Sequence, residues 1–78
     1  MTFRELNIGD IITKYNHRLS TCDRYRITNI EKTLYSFEFT MQNEVNGKFE
    51  KLYIVKEFMN KNSYPENCDG GYLVKWQI

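Results

Sequence analysis

Residues 33–42 read TLYSFEFTMQ. Tyr35, Phe37, Phe39 and Met41 take every second position, with Ser36, Glu38 and Thr40 between them. Successive side chains of a strand point to opposite faces, so this alternation puts four large side chains on one side. Fully burying one such side chain stabilises a fold by about 1.5–3 kcal/mol, and the stretch therefore predicts a core strand. It is followed by NEVNG, residues 43–47, whose Asn46-Gly47 pair is a strong hairpin signal. The returning strand is KFEKLYIVKE, residues 48–57.

On the N-terminal side, RYRITNIE, residues 24–31, also alternates: Tyr25 and Ile27 face one way, Arg24, Arg26 and Thr28 the other. IITKY, residues 11–15, predicts a short strand, and NHRLSTCDRYR, residues 16–26, the tip and return of a long hairpin. In FRELNIGD, residues 3–10, Phe3 and Leu6 are spaced as on one helical turn, and a turn follows at Gly9. Beyond the central hairpin, KEFMNKN, residues 56–62, predicts one helical turn, and SYPENCDGG, residues 63–71, a loop closed by a Gly70-Gly71 turn. YLVKWQI, residues 72–78, supplies a last strand with Tyr72, Val74, Trp76 and Ile78 in one set.

A chain of 78 residues makes one domain. A single core of this size supplies about 3–5 kcal/mol of stability and leaves no room for a large substrate cleft. The net charge of +1 excludes a general polyanion-coating protein and an acidic DNA mimic. No apolar run is long enough to span a bilayer, and MTFRELNIGD has no basic segment followed by an apolar one, so a cytoplasmic location is expected. Cys22 and Cys68 do not make a disulfide framework and are expected as thiols in a reducing compartment. There is no alanine, and Lys, Asn, Ile, Tyr, Phe and Met make up close to half of the chain. Those residues have AT-rich codons, which points to a low-GC genome.

Five short strands bury one face best by curling into a barrel, which also removes most exposed edges. With five strands and one short helical turn before the last, the chain resembles a mainly β, five-stranded SH3-like small barrel spanning residues 1–78. The opening Phe3, Leu6, Ile8, Gly9 and Asp10, F..L.IGD, resembles the start of small barrels from bacteria and phages. An ALYDY-like segment, an acidic long loop and a tandem Trp are missing, which turns the reading away from Pro-rich peptides. An OB-like barrel is the competing fold, but it carries a helix where this chain has NEVNG.

The chemistry-bearing residues point to binding rather than catalysis. His17 and Cys22 are a mismatched pair, short of the four ligands that zinc requires. No nucleophile signature or phosphate loop surrounds Cys22 or Gly70-Gly71. No catalytic, cofactor or metal residues are assigned. From Lys14 to Lys32 the basic residues are Lys14, Arg18, Arg24, Arg26 and Lys32, against Asp23 and Glu31, leaving the rest of the chain slightly acidic. With Tyr15, Tyr25, Tyr53 and Tyr64 they provide the arginine and aromatic chemistry of binding surfaces. The aromatic count, with Phe58, Met59 and Trp76, exceeds what a small core easily holds, so an exposed patch is expected. The favoured partner is a protein: a phage or mobile element acting on a host protein in replication, transcription or nucleic-acid defence, by analogy with small AT-rich phage genomes. The alternative is nucleic acid on the same basic face, read by phosphate contacts and stacking. A third reading is a homodimer paired through a free edge of the last strand.

Overall fold

The computed structural model describes the backbone of residues 1–69 and 72–78, and the side chains of residues 1–64 and 74–78. Six antiparallel strands run β1 (Ile11–Asn16), β2 (Thr21–Lys32), β3 (Ser36–Asn43), β4 (Phe49–Val55), β5 (Ser63–Asp69) and β6 (Tyr72–Gln77). They form one sheet in the order β4-β3-β2-β1-β6-β5, curled into a half-barrel. Short 3₁₀ turns at Phe3–Glu5 and Lys56–Phe58 are the helical content of the described residues.

The sheet has one more strand than the five expected. SYPENCD is a strand, not a loop: Ser63 pairs with Gln77, Tyr64 with Trp76 and Asp69 with Tyr72. Its composition signals a turn, yet β5 lies at one end of the sheet, where proline is tolerated because its missing N–H can face away from the ladder. The Lys56–Phe58 turn therefore precedes β5 rather than the last strand. The Gly70-Gly71 turn lies outside the described residues, as does the side chain of Cys68.

The alternation in the opening stretch is borne out from Phe37 onward, whereas Ser36, expected on the opposite face, is also buried. Phe37, Phe39 and Met41 are buried, and they meet Leu52 and Ile54 of β4 on the same inner face. Tyr35 departs from the expectation and is 74% exposed. The Thr33 hydroxyl accepts the N–H groups of Tyr35 and Ser36, so the chain turns there and the strand starts only at Ser36. In the β3–β4 connection, Asn43 Oδ1 accepts the N–H groups of Val45 and Asn46, and Gly47 takes the left-handed conformation at φ +73°. Tyr25 and Ile27 face inward as expected, but the register of β2 shifts between Ile27 and Asn29. This bulge at Thr28 brings Ile30 opposite Phe39.

The first hairpin is tighter than expected. Pairing of β1 with β2 runs to Asn16 opposite Thr21, leaving only His17–Ser20 in the turn. The N-terminal 3₁₀ turn caps the core with buried Phe3 and Leu6, while Ile8 stays exposed. The N–H of Phe3 donates to the Lys61 carbonyl and that of Arg4 to the Met59 carbonyl, which ties this cap to the β4–β5 connection. Trp76 and Met59, expected as surplus aromatic and apolar surface, are each 1% exposed and belong to the core.

Candidate partner-binding face

The outer face of the first hairpin is set by the register of β1 with its neighbours. Tyr15 lies opposite Cys22 on one side and Lys75 on the other, and Thr13 lies opposite Arg24. Ile11 lies opposite Arg26, so Tyr15, Arg24 and Arg26 share the outer face. Tyr15 is 38% exposed. Lys75 belongs to this face and was not singled out by sequence, because the pairing that places it beside Tyr15 is non-local.

The two arginines converge on one carboxylate. Arg26 Nη2 donates to Glu44 Oε2 at 3.0 Å, and Arg24 Nε stands 3.6 Å from Glu44 Oε1. Glu44 reaches them because its N–H donates to the Arg24 carbonyl at 3.0 Å, which pins the start of the β3–β4 turn against β2. The arginine side chains nevertheless remain 64% and 56% exposed. Two guanidiniums sharing one carboxylate carry about half the charge that the sequence suggests, and exposed pairs of this kind contribute about 0–1 kcal/mol to stability. An open hollow of about 470 Å³ lies beside them, lined by Arg26, Gln42, Asn43, Glu44 and the Val45–Gly47 turn.

Apart from Arg18 in the turn that joins β1 and β2, the other basic and aromatic candidates are not on this face. Lys14 points inward: Nζ is 3.1 and 3.2 Å from the two oxygens of Glu50 and 5.4 Å from the Trp76 ring centroid. This contact joins β1 to β4 across the interior of the half-barrel. Tyr25 packs against Trp76 with centroids 5.2 Å apart, on the inner face rather than beside the arginines. Burial pushes its phenol ionisation upward, the Glu50 charge adds to this, and Asn43 and Lys14 oppose it. Lys32 sits at the far end of β2, roughly 20 Å from Arg26 along the strand, with Nζ 5.2 Å from the Phe37 ring centroid. Arg18 is exposed in the His17–Ser20 turn. Tyr53 is exposed on the outer face of β4, three strands from Tyr15 in the sheet order. Tyr64 is half-buried and meets Phe58 edge-on at 5.1 Å.

Among the described residues no three His, Cys, Asp or Glu side chains come together as a metal site. Cys22 is exposed on the outer face. No helix of the described residues is long and apolar enough to cross a membrane. Comparison of the chain with protein-family models, curated protein sequences and solved structures found no match.

Proposed function

We propose that this chain is a non-enzymatic protein-binding module of SH3-like type, contacting its partner through the outer face of β1 and β2. The contact residues are Tyr15, Arg24 and Arg26, flanked by Arg18 and Lys75. The observation that carries the reading is the shared Glu44 carboxylate. It lowers the local charge and restrains two guanidinium groups while leaving them accessible. Restrained arginine beside tyrosine is hot-spot chemistry for a protein partner. A track for phosphates would instead present unneutralised cations in series. Within this proposal the partner is a host protein in replication, transcription or nucleic-acid defence, bound and inhibited in the host cytoplasm by a phage-encoded module.

Direct nucleic-acid binding is the second reading, favoured by the more than half exposed arginines sharing a face with Tyr15. A pulldown of the tagged protein from a low-GC Gram-positive lysate, with and without nuclease, separates the two. One enriched protein that survives nuclease and moderate salt, and is lost with Arg24→Glu plus Arg26→Glu, supports the protein reading and names the target. Enrichment that vanishes with nuclease and falls steeply with salt supports the second.

A further inference from the structure

The edge of β4 combines two properties. β4 ends the sheet order, so one side of its backbone has no strand partner among the described residues. The ladder with β3 is bracketed by two hydrogen bonds of the same register: Asn43 N–H to the Lys48 carbonyl at 2.8 Å, and Lys56 N–H to the Tyr35 carbonyl at 2.7 Å. Hydrogen-bonded and non-bonded pairs alternate in an antiparallel ladder. Glu50, Leu52 and Ile54 therefore spend their backbone groups on β3, and Phe49, Lys51, Tyr53 and Val55 direct theirs away from the sheet. These same four residues carry the outward side chains, with Phe49 63%, Tyr53 55% and Val55 37% exposed.

The edge also lacks most of the devices that block strand addition. β4 contains no proline and no register shift, and the charge of Lys51 is matched by Glu38 at 3.1 Å. Its sequence is self-complementary. In an antiparallel pairing of two β4 strands about a two-fold axis at Leu52, Phe49 lies opposite Val55 of the second copy and Lys51 opposite Tyr53. Every outward-directed backbone group then meets another. Aromatic against β-branched is a favourable cross-strand pair, and within Phe49–Val55 no like charges face each other, Lys48 and Lys56 meeting only beyond the strand ends. Centring on Lys51 instead would place two lysines in contact.

We propose that β4 pairs with β4 of a second copy of this chain in the register centred on Leu52, forming a two-fold dimer with one continuous sheet. The axis runs normal to the sheet, so the outer faces of both copies stay on the same side and present Tyr15, Arg24 and Arg26 twice. The dimer does not depend on what that face binds.

The test is mass in solution by light scattering, from about 1 μM to about 1 mM, a range that spans weak to firm association. The expected result is a rise from 9.4 kDa towards twice that mass. Phe49→Lys with Val55→Lys sets like charges across both symmetric contacts and weakens association at least about tenfold. Phe49→Lys with Val55→Glu sets opposite charges across the same contacts and restores it. In the wild-type chain, the amides of Lys51, Tyr53 and Val55 gain protection from hydrogen exchange as concentration rises, a readout that holds if a variant fails to fold. A wild-type mass of 9.4 kDa throughout overturns the proposal. So does a dimer whose β4 amides gain no protection, or one that the paired lysines leave intact.

Discussion

Glu44 decides how much of the basic composition is available to a partner. Replacing it by Gln frees Arg24 and Arg26 with little effect on folding, about 0–1 kcal/mol for such exposed pairs. If the face binds a protein, single-stranded nucleic acid should gain no tight, salt-dependent affinity with Glu44→Gln in filter-binding titrations. If it binds nucleic acid, affinity rises and the salt slope steepens by about one. Lys14 and Glu50 behave differently, since the Lys14 side chain is only 14% exposed. Lys14→Met keeps the packing on Trp76 but strands the half-buried carboxylate, and urea unfolding should register a loss of about 1–3 kcal/mol. Adding Glu50→Leu removes the stranded charge and should recover most of that loss. At the N-terminus, the Thr2 hydroxyl and the Thr2 N–H, both donating to Glu5 at 3.0 Å, hold that carboxyl below its usual range. A lowered folded-state pKa contributes stability above the unfolded-state pKa and loses it as pH falls through the folded-state value. The gap in melting temperature between wild type and Thr2→Ala should therefore narrow between about pH 6 and about pH 3.

The strands are where local pattern and tertiary pairing diverge. Ile27 and Asn29 are two residues apart, and a regular strand would place them on one face. The bulge at Thr28 separates them, leaving Ile27 buried and Asn29 exposed. Ile27→Ala should cost about 2–5 kcal/mol, while Asn29→Ala should stay within about 0.5 kcal/mol, both read by urea unfolding. Nothing in RYRITNIE reveals the bulge, because the extra residue is required by the register with β3, not by β2 itself. In β4, proline offers a direct check on which amides face away from the sheet. Leu52→Pro removes an amide bonded to β3 and should cost about 3 kcal/mol or more in thermal melts. Lys51→Pro removes an outward amide and should be tolerated far better, as proline is on sheet edges.

At the scale of the molecule, the half-barrel depends on contacts between its ends in sequence. Phe3 and Leu6 close the core under a backbone tie to Met59 and Lys61. Phe3→Ala should cost about 3–5 kcal/mol, comparable to the whole stability of a domain this small, and its circular dichroism should be that of an unfolded chain. The last strand has no free edge, since β6 is flanked by β1 and β5, which corrects the expected route to a homodimer. The sheet order instead ends at β4 and β5, and the dimer proposed here uses β4.

The sequence by itself determined the strands whose alternation is uninterrupted. The inner residues of β3, the hairpin at Asn46-Gly47 with its returning strand, the turn after β4 and the helical turn at Phe3 and Leu6 all follow from local period and turn chemistry. Tertiary structure alone decided that SYPENCD is a strand, because only its neighbour β6 supplies the ladder that outweighs its turn-like composition. It also decided that Lys14 points inward to Glu50, that Glu44 sits between two arginines, and which strands are left at the edges of the sheet. Each of these depends on which distant residues lie opposite one another. Period within a strand is set by adjacent residues, whereas register and edge are set by pairing across the whole chain.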